Sequence, residues 1–266
     1  MNKKSAIIIV IAIFVVISLV AYINETKVNN EIENNIEDNK QENANVTNSD
    51  EERKDDDIMD GITLNYQSSI RIEKNGKVIY FDPYKIESNS NDADYIFITH
   101  SHYDHYSEDD IKKVMKNDTK FVVTSDLENK VKALGVLEDN ILVVYPNEEH
   151  NIDDISFDVV PAYNIDKTYH KKSYNWLGYV IDLDGVKYYD VGDSDVTDEF
   201  KNVSCDVIFV PVGGTYTMTD SEAASAVNEM KPKYAVPVHY GEVGSSANAD
   251  NFVNNLNDDI TGVILK

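Results

Sequence analysis

Three of the six histidines in this 266-residue chain lie within six residues, in the motif His100-x-His102-x-Asp104-His105. The run before it, residues 94–99, has the length and apolar content of a short buried strand. We therefore expect the motif on the loop where that strand ends, which is where α/β sheets bind ligands. Neutral imidazoles and a carboxylate are the ligands that zinc and similar divalent ions prefer. In a compact turn, His100 and His102 would converge on one ion while Asp104 and His105 face a second ion about 3.5–4 Å away. The alternative is a polar loop with chance histidines, which the scarcity of histidine elsewhere disfavours.

This motif resembles the signature of the metallo-β-lactamase superfamily. The chain is most similar to the branch of small metal-dependent hydrolases that includes the ascorbate-6-phosphate lactonases. The resemblance covers about residues 60–266. It implies an αββα sandwich with metal ions at one edge, and a hydrolase that uses a metal-activated water or hydroxide. The implied cofactor is a pair of divalent ions, with zinc first and manganese or iron as alternatives.

Two later segments match further motifs of the same superfamily. Asp193, in a Gly-Asp turn after an apolar strand, corresponds to the aspartate that bridges both metals. His239, at the end of the apolar run 234–238, corresponds to the histidine that binds the second metal. Taken alone, the first would be an ordinary turn and the second a structural histidine. The metal ligands implied by the resemblance are His100, His102, Asp104, His105, Asp193 and His239, with Asp104 and Asp193 also catalytic.

The third histidine of the first metal site is missing from its usual place. Family members usually carry it just after a strand that resembles residues 159–162. This chain has Asn164 there, and asparagine is a poor zinc ligand. His170, six residues further on, either supplies the missing nitrogen as a metal ligand or contacts the substrate. His150 lies in a polar segment between two predicted strands, where we expect an exposed turn without a role in the site.

The segment over residues 211–218 places Gly213 and Gly214 between a predicted strand and a predicted helix. Adjacent glycines permit positive φ and close backbone approach, so the amides and the helix start could bind an anionic group. A purely structural tight turn is the equal alternative. The Lys-Ser/Thr ending of a phosphate-binding Walker loop is missing. The candidate substrate contacts are Asn164, Gly214 and Tyr216.

The order of elements points to an α/β (α+β) fold. Strand hairpins come first, with a turn signal at Asn75-Gly76, and strands alternating with helices follow. A further hairpin turn signal lies at Asp184-Gly185. This order favours two mixed sheets that pack together with helices outside. A last strand is predicted over residues 263–265. Predicted helices run from Ser107 to about Asn117, from a capping box at Ser125 and Glu128, and from a capping box at Thr219 and Glu222.

The N-terminal segment differs in character from the rest of the chain. Residues 1–23 carry Lys3 and Lys4 and then an uncharged, largely apolar run. Its length suits a membrane-spanning helix, and the lysines predict a single-pass protein whose C-terminal domain lies outside the cytoplasm. A cleaved signal peptide is the alternative, although its apolar region would normally be shorter. Residues 24–60 are acidic and lack aromatic residues, which predicts a disordered linker, and residues 61–266 form the hydrolase-like domain.

Composition limits the partners. Acidic residues outnumber basic ones by 48 to 24, which gives a formal net charge of −24. Nucleic-acid binding requires a basic surface, so DNA and RNA are not expected partners. We expect a small-molecule substrate, while the oligomeric state stays open. Cys205 is the only cysteine, so no intrachain disulfide can form, and its place beside a predicted buried strand indicates inert packing.

Two functions of different classes fit these features. The first is a metal-dependent hydrolase of an ester, lactone, amide or phosphoester bond. The chain has no Gly-x-Ser-x-Gly motif, which weakens a serine-hydrolase mechanism. The second is a membrane-tethered binding or sensor domain that keeps the fold but has reduced or no turnover because of Asn164. Two ions per chain would support the enzyme, and one or none would support the sensor.

Overall fold

A computed structural model of the chain describes residues 58–241 and 248–265. The unit that contains the histidine motif starts at Asp60. Among the residues described, no helix is long and apolar enough to cross a membrane. The membrane-spanning helix predicted over residues 1–23 lies outside the described residues. So do all but the last three residues of the linker predicted over 24–60, and both stay predictions.

Six strands of the described chain form the first sheet, in the order in which they occur in the sequence. They are β1 (Ile62–Tyr66), β2 (Ser69–Lys74), β3 (Lys77–Phe81), β4 (Ala93–Phe97), β5 (Met115–Val123) and β6 (Ile141–Val143). Strands β1 to β3 pair antiparallel, and β3 to β6 pair parallel. The parallel strands β3 and β4 therefore end at the same edge, and the residues that follow them lie side by side.

The second sheet contains seven strands within the described ranges. They are β7 (Glu149–Ile152), β8 (Ile155–Pro161), β9 (Leu177–Leu183), β10 (Val186–Asp190), β11 (Val207–Pro211), β12 (Tyr234–Val238) and β13 (Thr261–Gly262). Each strand lies beside its neighbour in sequence. The pairing is antiparallel from β7 to β10 and parallel from β10 to β13.

Helices cover one face of each sheet. The α-helices in the described part of the chain are α1 (Glu108–Val114), α2 (Glu128–Ala133), α3 (Asp198–Lys201), α4 (Asp220–Met230) and α5 (Ala249–Asn254), with 3-10 helices at Glu138–Asn140 and Lys172–Tyr174. Ile111 of α1 and Val131 of α2 belong to a core cluster with residues of β4 and β5. Phe200 of α3, Val227 of α4 and Phe252 of α5 belong to a second cluster with residues of β10, β11 and β12.

The other faces of the two sheets meet in an aromatic core. The ring centroid of Phe97 in β4 lies 5.2 Å from those of Phe157 in β8 and Tyr179 in β9, and Phe81 in β3 lies 6.5 Å from Tyr179. All four side chains are buried. Burial of a large apolar side chain contributes about 1.5–3 kcal/mol. The layers run helix, sheet, sheet, helix, which confirms the predicted αββα sandwich.

Both predicted hairpin turns are confirmed. Asn75 and Gly76 join β2 to β3 with φ of 53° and 73°. Asp184 and Gly185 join β9 to β10 with φ of 55° and 81°. Positive φ at both central residues matches the twist of the flanking strands, and asparagine, aspartate and glycine tolerate it best.

Two of the predicted helix starts are confirmed and one is wrong. Ser107 caps α1, and Thr219 caps α4 in the predicted capping box with Glu222. Helix α2 instead begins after Leu127, whose side chain makes no capping hydrogen bond, so the box predicted at Ser125 does not form. Leu127 is fully buried. Packing of this residue into the core decides where the helix starts and overrides the local capping preference.

The helix predicted to reach Asn117 ends earlier, at Val114, and β5 begins at once with Met115. Met115 pairs with Ala93 of β4. The Thr119 hydroxyl also donates to the Ala93 carbonyl at 2.6 Å. These contacts with a strand distant in sequence hold the segment extended, and local helix propensity does not report them.

Two edge strands differ from the prediction. Strand β13 covers Thr261–Gly262 rather than residues 263–265: these two residues are in register with β12, and the Val263 amide makes one further hydrogen bond, to the Ala235 carbonyl at 2.9 Å. Strand β7, Glu149–Ile152, is polar and half exposed, so its sequence lacks the apolar alternation that predicts a strand. His150 therefore lies in a strand rather than in an exposed turn. It is half-buried, and its ring stacks on Phe157 at 5.5 Å.

Gly178 in β9 permits a close approach to the segment that leads to Asp193. A β-carbon at Gly178 would lie 2.6 Å from the Val191 carbonyl oxygen and 2.7 Å from that of Asp190. Gly178→Ala is therefore expected to lower the free energy of unfolding by about 1–3 kcal/mol, because the two strands must move apart. Urea unfolding measures the difference. The control Ser156→Ala, at an exposed position of β8, is expected to change it by less than about 0.5 kcal/mol. An unchanged midpoint for Gly178→Ala would contradict this account.

Candidate metal centre

The predicted ligands gather at one edge of the sandwich, each in a segment that follows a strand. The histidine motif follows β4, Asp193 follows β10, and His239 directly follows β12. His170 comes from the connection between β8 and β9. The His239 amide donates to the Gln67 carbonyl at 3.0 Å, which ties the end of β12 to the turn between β1 and β2. Strand ends of both sheets therefore position the site.

The first group of converging side chains consists of His100, His102, His170 and Asp193. His102 Nδ1 lies 3.0 Å from His100 Nε2 and 3.2 Å from His170 Nε2. Asp193 Oδ2 lies 3.1 Å from His170 Nε2 and 3.9 Å from His100 Nε2. Ligands bonded at about 2.0–2.1 Å to one tetrahedral zinc ion lie roughly 3.3 Å from one another. The four atoms therefore have the spacing that a single ion requires.

The second group consists of Asp104, His105 and His239. Asp104 Oδ2 lies 3.7 Å from His105 Nε2 and 3.5 Å from His239 Nε2. Asp193 reaches this group as well, because its Oδ1 lies 3.5 Å from His105 Nε2 and its Oδ2 lies 3.2 Å from His239 Nε2. The Asp193 carboxylate thus lies between the two groups.

Three of the atoms that face the centre lack hydrogen-bond partners among the described residues. His105 Nε2, His239 Nε2 and Asp193 Oδ1 are buried and form no hydrogen bond with any described residue. A buried polar group left unpaired costs about 1–3 kcal/mol. Imidazole nitrogens and carboxylate oxygens are donors that bind zinc and related ions. The residues present therefore fit divalent metal ions.

The charges of the site favour a bound cation. Burial lowers the pKa of His100 well below its usual value, which keeps this imidazole in the neutral form that binds metal. Burial has the same effect on His239, but Asp193 and Asp104 outweigh it and raise its pKa to about 9. Asp193 stays ionised, because His239 and His105 overcome its burial and hold its pKa well below the usual range. A metal ion would take the place of the protons that these carboxylates attract.

Asp82 orients His105 and is a residue that the sequence alone did not identify. Its Oδ2 lies 2.6 Å from His105 Nδ1. Thr99 donates to Asp82 through its amide at 2.8 Å and its hydroxyl at 2.6 Å. This arrangement places the imidazole proton on Nδ1 and directs Nε2 toward the second group. Asp82 directly follows β3, the parallel neighbour of β4, and that position is the signal that could have revealed it.

Asp82→Asn is expected to lower metal affinity by about 10–100-fold. The side-chain amide of the variant can still orient His105, but it lacks the negative charge that makes the imidazole a stronger ligand. The backbone is not strained by the change, since asparagine tolerates the positive φ of 45° at this position. Competition with a chromophoric chelator measures the affinity. Asp94→Asn, near the start of β4, is the control and should keep the parent affinity. Equal affinity in Asp82→Asn would show that the negative charge of Asp82 does not contribute to metal binding.

His170 takes the place in the first group that Asn164 leaves open. Asn164 is buried, and its Nδ2 donates to the Tyr216 carbonyl at 2.7 Å and lies 3.2 Å from His170 Nδ1. The Asn164 amide also donates to the His170 carbonyl at 2.8 Å. Asn164 therefore contacts the Nδ1 side of the His170 ring, which leaves the His170 Nε2 atom facing the other ligands. Of the two roles that the sequence left open for His170, the structure favours that of a ligand, because His170 lies in the first group.

Trp176, the only tryptophan, packs against three rings of the first group. Its ring centroid lies 4.6 Å from that of His100, 4.7 Å from that of His102 and 5.5 Å from that of His170. This contact limits the orientations of the histidines and shields one side of the group from water. No local motif in the sequence indicates it.

Both groups open into a cavity of about 470 Å³. Its described lining consists of Gln67, His102, Tyr103, Asp104, Tyr169, His170, Asp193, Tyr216 and His239. Of the three candidate substrate contacts, Tyr216 lines the cavity, whereas Asn164 and Gly214 do not. The Gly214 amide donates to the Met218 carbonyl at 2.9 Å, and the Gly213 amide donates to the Thr217 hydroxyl at 3.1 Å. These amides stabilise the turn itself, which favours the structural interpretation of the glycine segment.

Comparison with known proteins agrees with this geometry. Residues 62–239 match the family model described as a beta-lactamase superfamily domain. The chain is 32% identical over 181 residues to a UPF0173 metal-dependent hydrolase of Thermococcus onnurineus, covering 66% of this chain and 80% of the relative. It is 28% identical over 196 residues to a UPF0173 metal-dependent hydrolase of Staphylococcus haemolyticus, covering 67% of this chain and 85% of the relative.

A solved structure adds support at the level of the fold and the sequence. The candidate metal-dependent hydrolase of Parabacteroides distasonis superposes with a TM-score of 0.65 at 29% sequence identity. The match covers 77% of this chain and 93% of that protein. The chain therefore belongs to the beta-lactamase superfamily and is a metal-dependent hydrolase.

Proposed function

We propose that the chain binds two divalent ions and uses them to hydrolyse an ester, lactone, amide or phosphoester bond of a small molecule. Zinc is the first candidate for both ions. The observation that carries this proposal is the position of Asp193 between two groups of converging ligands. Its Oδ2 lies 3.1 Å from His170 Nε2 in one group and 3.2 Å from His239 Nε2 in the other. Two-metal hydrolases hold their ions about 3.5–4 Å apart, and a shared carboxylate is one means of keeping that distance.

The chain's own residues bind the ions and handle the proton. When bound, such a pair supplies an activated water and stabilises negative charge on the reacting carbonyl or phosphoryl oxygen. Asp104 lines the cavity. Burial opposes its ionisation, but the interaction with His239, whose Nε2 lies 3.5 Å from Asp104 Oδ2, outweighs burial and lowers the pKa of Asp104, so its carboxylate is charged at neutral pH. In this proposal a carboxylate oxygen of Asp104 accepts the proton of the attacking water and passes it to the leaving group.

The completeness of the first group argues against the alternative of a binding or sensor domain. That alternative rests on the loss of a ligand at Asn164. His170 restores a fourth ligand atom within 4.8 Å of the other three, so the substitution does not leave the group short of ligands.

Metal content and hydrolysis, measured on the same preparation of the full chain, test the proposal. After zinc loading and removal of free metal, mass spectrometry of the metal should give two equivalents per chain. The loaded protein should hydrolyse at least one member of a panel of 4-nitrophenyl acetate, a γ-lactone, a 4-nitroanilide and bis(4-nitrophenyl) phosphate. Chelation should abolish this activity and zinc should restore it. One equivalent or none, with the whole panel left intact, would support the sensor instead.

A further inference from the structure

Four of the residues that line the cavity are not candidate metal ligands: Gln67, Tyr103, Tyr169 and Tyr216. We call them the outer wall. Neither lysine nor arginine occurs among the described residues that line the cavity. Beyond the metal ligands, the described residues of the wall therefore offer aromatic rings and one amide but no positive charge.

The tyrosines of the wall present ring surface to solvent and are braced by other rings. Tyr103 is 69% exposed, and its ring lies edge-on at 6.0 Å from Tyr84. Tyr169 is 47% exposed, and its ring lies edge-on at 4.7 Å from Tyr216. Aromatic side chains commonly line ligand pockets, and ring-bearing ligands pack on such surfaces.

Gln67 supplies an independent sign of a ligand. It is 4% exposed, lines the cavity, and its Oε1 has no hydrogen-bond partner among the described residues. Its backbone is fixed, because its carbonyl accepts from the His239 amide at 3.0 Å. A buried amide oxygen without a partner is destabilising unless a ligand donates to it. A hydroxyl group suits this position, since it can pair with a primary amide whichever way the amide plane is turned.

The lysines of the connection between β8 and β9 do not provide the missing charge. Lys167 pairs with Asp195, and Lys172 pairs with Glu199 at 2.7 Å. Lys171 is exposed and does not line the cavity. The net charge of −24 over the chain also repels anions at long range.

We infer that the site takes an uncharged small molecule in which a hydroxyl-bearing ring lies next to the scissile bond. The inference rests on the proposed function, because the metal ions hold the reacting group. The ring packs against Tyr103 and the Tyr169–Tyr216 pair, and its hydroxyl pairs with the Gln67 amide. A substrate with a phosphate or carboxylate away from the scissile bond would place that charge against a wall without cations, which disfavours its binding.

Hydroxamates test this without turnover, because their head group binds zinc while the tail probes the outer wall. We would titrate the zinc-loaded full chain by calorimetry with acetohydroxamate, phenylacetohydroxamate and the 4-hydroxy and 4-carboxy derivatives of the latter. The phenyl compound should bind about tenfold more tightly than acetohydroxamate. The 4-hydroxy group should add about three- to tenfold, and the 4-carboxy group should weaken binding at least about tenfold.

Variants of the outer wall show which residue causes each of these differences in affinity. Tyr103→Ala and Tyr169→Ala should each remove most of the advantage of the phenyl compound over acetohydroxamate. Gln67→Met should remove the advantage of the 4-hydroxy group alone. Tyr145→Ala is the matched control, since Tyr145 is also 47% exposed but does not line the cavity, and it should change none of the four affinities.

Two results would overturn the inference while leaving the proposed function intact. One is equal affinity for the 4-carboxy and the unsubstituted phenyl compounds. The other is unchanged affinity for all four hydroxamates in Tyr103→Ala, Tyr169→Ala and Gln67→Met, as in the control Tyr145→Ala. If none of the four hydroxamates bound the zinc-loaded protein, the site would hold no accessible zinc ion, and this inference would fall together with the proposed function.

Discussion

Asp193→Ala is expected to remove bound metal from both groups and to lower kcat/KM for any substrate that the chain hydrolyses. Asp193 is 3% exposed, and its oxygens lie between 3.1 and 3.9 Å from the Nε2 atoms of four histidines. Without this carboxylate each group loses a ligand, and two cations would lie side by side without the negative charge that offsets their repulsion. The loss should be roughly 10³-fold or more, because metal ions stabilise the transition state by several kcal/mol and each 1.4 kcal/mol is tenfold in rate.

The measurement pairs metal content with kinetics on the same preparation. Asp198→Ala is the control, since Asp198 is an exposed carboxylate five residues further along the same segment and belongs to neither group. It should retain two equivalents of zinc and the parent kcat/KM. Two retained equivalents with full activity in Asp193→Ala would show that the shared position of this carboxylate is not used for metal binding.

The parts of the site that the sequence predicts are those where a strand and its ligand are adjacent in the chain. The His100–His105 motif, Asp193 and His239 each follow an apolar run, and strand ends are where ligands bind in such sheets. The same local signals predict the hairpins at Asn75 and Asp184, because a positive φ at two consecutive residues restricts the residue types.

The parts that the sequence does not predict depend on contacts between distant segments. Strand β5 starts at Met115 because Ala93 pairs with it. Asp82 serves the site only because β3 lies beside β4, and Trp176 only because the second sheet brings it against the histidine rings. These features follow from the tertiary arrangement, which no local preference along the chain reports.

The fourth ligand of the first group is the clearest example of a role that depends on the tertiary structure, because the sequence left two roles open for His170. The structure places His170 Nε2 3.2 Å from His102 Nδ1 and 3.1 Å from Asp193 Oδ2, whereas Asn164 contacts the opposite ring nitrogen of His170, at 3.2 Å. His170→Ala is therefore expected to lower the zinc content from two equivalents to one. It should also lower kcat/KM by roughly 10²–10³-fold, because loss of one ion of a pair removes several kcal/mol of transition-state stabilisation.

Asn164→Ala gives the contrasting result that separates a ligand from its support. It should keep two equivalents at saturating zinc and lose only about 10–100-fold in the affinity of one ion, since it removes a residue that orients a ligand. His150→Ala is the matched control, because His150 is the one histidine outside both groups, and it should bind two ions with the parent affinity. The reverse order, with an ion lost in Asn164→Ala and retained in His170→Ala, would make Asn164 the ligand and leave His170 as a substrate contact. The present geometry opposes that order, because His170 Nε2 faces His102 and Asp193, whereas Asn164 contacts the opposite ring nitrogen of His170.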